Sequence, residues 1–281
     1  MTLAVTGATG RLGGRVARRL AAAAYPLRLL VRDPGRAPRL PGAEAAVADY
    51  GDPAALREAL AGAGTVFMVS AAESPDRVDR HRAFIDAAAA AGVRHLVYTS
   101  FVGASPDATF TLARDHAATE EHLRASGLTF TILRDNLYAD FLPLMVGEDG
   151  VIRGPGGDGR AAVVAQDDIA DASVAVLRDP ATHGGATYDL TGPEALSFAE
   201  MAATMSAESG NPVRYESETL AQAYASRARY GAPEWQVQAW VSTYTAVAAG
   251  ELAAVSPAVP RLTGRPATPF AEVLRGARPQ R

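Results

Sequence analysis

The sequence contains no cysteine and no lysine: of its 281 residues 27 are basic, and all of these are arginine. Without cysteine, disulfides and thiolate chemistry are excluded. Without lysine, so is every dehydrogenase mechanism that needs a catalytic lysine. The chain also lacks an excess of positive charge. Its formal net charge of −4 argues against nucleic acid or an anionic membrane surface as its main partner. No apolar run reaches the ~18 residues of a membrane span. No charged-then-apolar leader precedes the first strand, into which Met1 runs directly. The expectation is a cytoplasmic protein with a small-molecule partner, as a monomer or homodimer. What the chain does have is a 48% hydrophobic content, ample for a sizeable core, and a length suited to one large α/β domain or a nucleotide domain with an appendage.

The most informative stretch is Val5-Thr6-Gly7-Ala8-Thr9-Gly10-Arg11-Leu12-Gly13-Gly14. It follows the apolar run Leu3–Val5 and opens an Ala/Arg-rich helical segment. A strand turning through glycines into a helix is a phosphate-binding device. Gly7 permits the tight turn, Gly10 lets backbone approach a pyrophosphate, and Gly13 lets helix pack on strand. The first N–H groups of the helix face the anion, so Thr9, Arg11 and Leu12 join the glycines as candidate cofactor contacts. The spacing Gly7-x-x-Gly10-x-x-Gly13 differs from the G-x-G-x-x-G of simple dinucleotide folds.

Short apolar strands then alternate with helices. Strands are expected at Leu27–Val31, Ala45–Ala48, Thr65–Val69, His95–Thr99 and Thr129–Leu133. Helices are expected at Arg15–Ala23, Pro53–Leu60, Arg77–Ala91 and Ala113–Ala125. This pattern predicts a Rossmann-type doubly wound parallel sheet. Residues 1–150 read as the NAD(P)-binding domain. Residues 151–281 read as a smaller α/β substrate lobe, partly interwoven with the first. Residues 147–159 read as a glycine-rich loop, Gln166-Asp167-Asp168 as a helix start and not a metal pair, and Leu220–Tyr230 as a helix. No metal site is expected.

The end of the second strand meets the adenosine ribose in such folds. There the chain places Arg32, whose guanidinium fork suits a 2′-phosphate, followed by Asp33, which keeps NAD open. NADPH is the preferred cofactor. Asp49 ends the third strand near the adenine position. Ser70 and Ala71 follow the fourth strand, and Ser100 and Phe101 the fifth, where backbone or hydroxyl contacts to the cofactor are expected.

These landmarks together resemble the NmrA-like, atypical short-chain dehydrogenase/reductase family, and within it the bacterial NAD(P)H:quinone oxidoreductases and triphenylmethane reductases. The resemblance also covers Val31-Arg32-Asp33-Pro34, Ala48-Asp49-Tyr50, Ala90-Ala91-Gly92-Val93, Tyr98-Thr99-Ser100, His116-Ala117-Ala118-Thr119-Glu120, Leu133-Arg134-Asp135-Asn136-Leu137-Tyr138 and Gly156-Gly157-Asp158-Gly159. It implies a Rossmann domain, NADP(H) and hydride transfer. Ordinary members of the wider superfamily use Tyr-x-x-x-Lys. The matching place here is Leu112-x-x-x-His116, so both partners are missing, as in the atypical quinone and dye reductases. An acceptor that is already electrophilic can take hydride without a strong positioned acid.

His116 is then a candidate for the nicotinamide ribose or a proton relay, against a helix histidine satisfied locally. Asn136 and Tyr138, just past the sixth strand, are candidates for the carboxamide or acceptor oxygen and for covering the ring or donating a proton. Their plainer reading is loop capping and packing. His81, His95, His122 and His183 read as structural, and Tyr98 as packing. Tyr224, Tyr230, Trp235, Trp240 and Tyr244 are candidate walls for a flat aromatic acceptor, against helix packing. The function expected is NADPH-dependent reduction of a small electrophilic, aromatic acceptor such as a quinone. The alternatives are a non-catalytic NADP-binding regulator and a reductase dedicated to one natural-product intermediate.

Overall fold

A computed structural model describes residues 2–276. Chain order begins β1 (Thr2–Thr6), α1 (Arg11–Ala22), β2 (Leu27–Val31), β3 (Ala43–Val47), α2 (Pro53–Leu60), β4 (Ala63–Met68), α3 (Arg77–Ala90), β5 (His95–Phe101), α4 (Thr111–Ala125) and β6 (Thr129–Asp135). It continues with β7 (Val151–Gly154), β8 (Arg160–Ala161), α5 (Gln166–Arg178), β9 (Thr187–Leu190), β10 (Leu196–Ser197), α6 (Phe198–Ser209) and β11 (Arg214–Ser217). The helices α7 (Leu220–Arg227), α8 (Glu234–Ala248), α9 (Ala258–Thr263) and α10 (Phe270–Gly276) complete it.

Seven strands form one sheet in the order β3-β2-β1-β4-β5-β6-β9. The pairs β1–β2, β2–β3, β1–β4 and β4–β5 are parallel. The order reverses direction between β1 and β4, the place where a doubly wound sheet opens a crevice at the carboxyl ends of its strands. The central strands are buried on both faces: all seven residues of β5 are buried. That matches their unbroken apolar sequences, because helices cover both sides of a parallel sheet. β3 at the edge is the exception, half exposed along its length.

The chain divides into two compact units. The first comprises residues 1–100, 115–134 and 167–188. Its core contains Phe84, Ile85, Met68, Leu56 and Leu60 between α2, α3 and the sheet. The second comprises residues 101–114, 135–166 and 189–281. Its core gathers Phe101, Phe110, Phe198, Met201, Tyr244 and Phe270. Tyr244 lies against Phe198 with ring centroids 4.8 Å apart.

Residues 147–159, expected as loop, contain a strand. β7 pairs in parallel with β11, more than sixty residues later. Only that distant partner reveals the strand, since Val151 and Ile152 are flanked by glycines and too few to show a period. The helix expected at Leu220–Tyr230 ends at Arg227, and Ala228–Tyr230 forms a 3₁₀ turn closed by Gly231 in the left-handed region. The Asp167-Asp168 pair does lie in the first turn of a helix, α5, where carboxylates oppose the positive end of the dipole.

Candidate cofactor site

The first unit carries an open cavity of about 260 Å³ at the carboxyl ends of β1, β2, β3 and β4. β1 ends in Thr6 and hands the chain to Gly7, whose φ of +63° lies where side chains are strained. The turn closes with Gly10 N–H donating to the Gly7 carbonyl at 2.8 Å. A Cβ on Gly13 would lie 2.4 Å from that same carbonyl, so only glycine lets α1 approach the turn this closely. Gly10 is the N-cap of α1 and supplies no side-chain acceptor, and the first turn carries no acidic residue. A helix start left without a side-chain cap presents its N–H dipoles to an external anion.

The other walls follow from the strand ends. Leu30 and Val31 lead to Arg32, Ala48 leads to Asp49, and Val69 leads to Ser70 and Ala71. Arg32 is exposed on the rim and forms no hydrogen bond or ion pair among the described residues. Asp33 is engaged: its carboxylate accepts from Gly35 N–H at 2.9 Å and caps a 3₁₀ turn. Asp49 likewise accepts from Gly51 N–H at 2.9 Å. The Tyr50 hydroxyl lies 2.9 Å from Thr6 Oγ1 and 3.0 Å from the Val69 carbonyl. Val69 N–H donates to Thr6 Oγ1 at 2.8 Å. One partly buried tyrosine thus ties together the ends of β1, β3 and β4, and desolvation of its hydroxyl pushes the phenol above the ordinary range. A cavity of mixed polar and apolar lining, an uncapped helix start and an unengaged guanidinium fit a phosphorylated dinucleotide.

Among the expected cofactor contacts, Gly7, Thr9, Arg32, Asp49, Ser70 and Ala71 line this cavity. Gly10, Arg11, Leu12 and Gly13 form the adjoining turn and the start of α1. Ser100 does not line it. Its hydroxyl is buried and donates to Glu120 Oε1 at 2.6 Å. Arg134 and Arg124 also donate to that carboxylate.

His116 is buried, and both ring nitrogens are engaged. Nε2 lies 2.9 Å from Arg77 Nη2, and Nδ1 lies 2.8 Å from the Tyr98 hydroxyl. Arginine only donates, so Nε2 accepts and the ring proton sits on Nδ1, donating to Tyr98. Burial, then the neighbouring Arg77 charge, hold His116 well below its ordinary pKa and therefore neutral. In the second unit, Asn136 is fully buried. Its amide donates to the Leu252 carbonyl at 3.0 Å and its oxygen accepts from Leu137 N–H at 2.7 Å. The half-buried Tyr138 donates its hydroxyl proton to Asp135 Oδ2 at 2.6 Å. Phe101 packs edge-on against Phe110 at 5.0 Å. Tyr224 and Tyr230 are exposed.

The residues least legible in the sequence are Arg77 and His81 of α3, which reach the cavity wall from behind. Ala71 N–H donates to His81 Nε2 at 2.8 Å, and Arg77 Nε donates to the Ala71 carbonyl at 2.9 Å. Their spacing of four places them on one face of a helix, but nothing local says what that face meets. Among the described residues no helix is long and apolar enough to cross a membrane, and no cluster of three or more His, Asp or Glu side chains is placed to hold a metal.

The chain has relatives along almost its whole length. It is 36% identical to the NAD(P)H azoreductase of Xenophilus azovorans, covering 96% of both chains. It is 34% identical to quinone oxidoreductase 2 of Escherichia coli, again over 96% of both. A 39% identical relative, covering 95% of this chain and 94% of its own, is the (4-alkanoyl-5-oxo-2,5-dihydrofuran-3-yl)methyl phosphate reductase of Streptomyces griseus. Among solved structures, the NADPH-dependent quinone oxidoreductase of Escherichia coli complexed with NADPH superposes with a TM-score of 0.89 at 33% identity, over 98% of this chain and 99% of that one. The Citrobacter triphenylmethane reductase complexed with NADP(H) gives 0.87 at 30%, over 99% and 100%. The profile of the NAD(P)H-binding family matches residues 7–180, and the chain belongs to that family.

Proposed function

We propose that this protein is an NADPH-dependent oxidoreductase that delivers hydride to a small electrophilic, aromatic acceptor such as a quinone. The observation that carries this reading is its likeness, along almost the whole chain, to the Escherichia coli quinone oxidoreductase. Likeness of that extent covers the residues outside the dinucleotide turn, which is where acceptor choice resides. NADPH over NADH is supported by Arg32, free to meet a 2′-phosphate, and by Asp33, whose carboxylate is engaged by Gly35. The fold's acid composition and lack of cysteine support a cytoplasmic setting, with the protein acting as a monomer or homodimer without nucleic acid.

When bound, the nicotinamide supplies the hydride. The protein's part is to bind and orient. The Gly7–Gly13 turn and the start of α1 hold the diphosphate, and Arg32 takes the ribose phosphate. Asn136 and Tyr138 serve the acceptor side. Neither is a strong acid in waiting: the Tyr138 proton is held by Asp135, and the Asn136 oxygen by Leu137 N–H. The His116 imidazole is neutral and engaged on both nitrogens. Reduction therefore relies on the electrophilicity of the acceptor, and water supplies the proton. This is the chemistry a quinone permits and an unactivated ketone does not.

A second reading is favoured by the Streptomyces griseus relative, the most identical of those named here at 39%. Its substrate name describes an unsaturated lactone bearing a phosphate, which is likewise a conjugated hydride acceptor. Following NADPH absorbance with a quinone panel and with such an alkanoyl-furanone phosphate decides between them. Turnover of quinones at a kcat/KM well above that of the lactone phosphate supports the first reading, and the reverse order supports the second. Tight NADPH binding with no acceptor-dependent turnover would overturn both and favour a non-catalytic regulator.

A further inference from the structure

The loop after β4 is held from behind on both sides of a single residue. Ala71 donates its N–H to His81 Nε2 and accepts at its carbonyl from Arg77 Nε. Arg77 and His81 are buried side chains of α3, at 4% and 0% exposure. Neither is left to rotate. Arg77 Nη2 donates to His116 Nε2, and Nη1 reaches Asp115 Oδ2 at 3.4 Å. His81 accepts at Nε2, so its proton sits on Nδ1 and donates to Thr119 Oγ1 at 2.8 Å. Thr119 passes its own proton to the Asp115 carbonyl at 2.8 Å. His116 in turn donates to Tyr98. Every side chain in this chain of contacts has a defined donor or acceptor role.

Peptide geometry then fixes what the opposite side of the loop presents. Among the described residues no peptide is cis, and in a trans peptide the N–H and C=O point in opposite directions. The Ala71 N–H points inward to His81, so the Ser70 carbonyl of the same peptide points outward. The Ala71 carbonyl points inward to Arg77, so the Ala72 N–H of the next peptide points outward. Ser70, Ala71 and Ala72 all line the cavity. Among the described residues the Ala72 N–H donates to no protein group.

We infer that Arg77 and His81 are positioning residues that hold the Ser70 carbonyl and the Ala72 N–H as a fixed acceptor–donor pair for the nucleoside part of the cofactor. The chemistry that matches is a group with a donor and an acceptor side by side. Two parts of the cofactor offer it: the amino edge of adenine and the ribose hydroxyls. The inference rests on reading this cavity as the NADPH site. A preorganised pair binds without the cost of ordering the loop.

The test is equilibrium titration of the full-length protein with NADPH, followed by nicotinamide fluorescence, at a temperature well below unfolding. Arg77→Lys keeps the charge but cannot serve Ala71 and His116 together. His81→Leu removes the acceptor for Ala71 N–H, whereas His81→Gln offers its amide oxygen instead. The expected result is a Kd raised about ten-fold in Arg77→Lys and His81→Leu, the loss of roughly one hydrogen bond, with His81→Gln rescued to near the parent value. A purely structural role would lower Tm in all three and leave Kd unmoved. If Arg77→Lys does not fold, the contrast between the two His81 variants decides. Repeating the titration with deamino-NADPH, in which hypoxanthine replaces adenine, separates the two sources. A preference for NADPH that the variants lose assigns the pair to adenine, and equal weakening of both cofactors assigns it to the ribose. Unchanged Kd in folded Arg77→Lys and His81→Leu overturns the inference while leaving the cofactor site intact. No NADPH binding by the parent protein overturns the cofactor reading and the inference with it.

Discussion

At the scale of single residues, the proposed preference for NADPH rests on two neighbours with opposite charges and different engagements. Asp33 looks in the sequence like an NAD signal placed beside an NADP signal. In the fold its carboxylate caps Gly35, and on the proposed reading the neighbouring guanidinium is the group that meets the ribose substituent. Arg32→Asp should therefore weaken NADPH binding by about 10–100-fold, the worth of a charge-assisted contact at roughly 1.5–3 kcal/mol. NADH binding should change far less, because it carries no 2′-phosphate. The ratio of the two Kd values measures this directly, and a ratio equal to that of the parent protein would remove Arg32 from the site. The same scale shows how a residue's type can mislead. His116 stands where a superfamily lysine would be expected, yet both its nitrogens face protein.

At the scale of elements, the turn between β1 and α1 works as a unit because of one close approach. Gly13→Ala would push a methyl group to 2.4 Å from the Gly7 carbonyl. Backbone on both sides leaves no flexible atom to yield, so overpacking should cost about 1–3 kcal/mol of stability. It should also abolish NADPH binding by displacing α1. Urea unfolding and a binding titration test the two halves separately. Normal stability and affinity in that variant would mean the turn has slack the geometry does not show. This turn was legible in the sequence because everything it needs is local: a strand, three glycines and a helix within fourteen residues. The central strands were legible for a related reason, since burial on both faces writes an unbroken apolar run. β7 was not, because its pairing with β11 lies far off in the chain. The short helices α9 and α10 were not assigned either. Helices of six and seven residues depend on packing and not on their own propensity. The grip on Ala71 falls between these cases. The register of Arg77 and His81 on α3 can be counted from the sequence, but the loop they hold is a tertiary fact.

At the scale of the whole molecule, three buried histidines set the response to acid. Burial, followed by Arg77, lowers His81 to about 3, and burial also lowers His95 and His116. The unfolded chain binds these protons below pH 6.5 while the folded chain does not, so stability is full above pH 6.5 and falls as pH drops. Each pH unit below that point should cost about 1.4 kcal/mol for each histidine that stays neutral. From pH 6.5 to 4.5, His81 should remove about 2 kcal/mol, and His116, held neutral by burial, should add to the loss. Glu120 adds to this only at lower pH. Burial would raise its carboxyl, but Arg134, Ser100 and Arg124 outweigh burial and hold it below the ordinary range. Denaturant midpoints between pH 7.5 and 4.5 check the slope, and a flat profile would show that these imidazoles are charged or exposed.

Holding the Ala71 N–H through the neutral His81 ring, and its carbonyl through an arginine that rests on the neutral His116, has a further meaning. A histidine on the surface would change charge within the range of pH a living cell visits, and any loop resting on it would move with the acidity around it. Here the rings behave as fixed dipoles: His81 is set between the Ala71 N–H and the Thr119 hydroxyl, and His116 between Arg77 and the Tyr98 hydroxyl. Acid draws down the molecule's reserve of stability before it alters the shape of the wall that meets the nucleoside. The protein can unfold sooner in acid and still, until it does, recognise its cofactor in the same way.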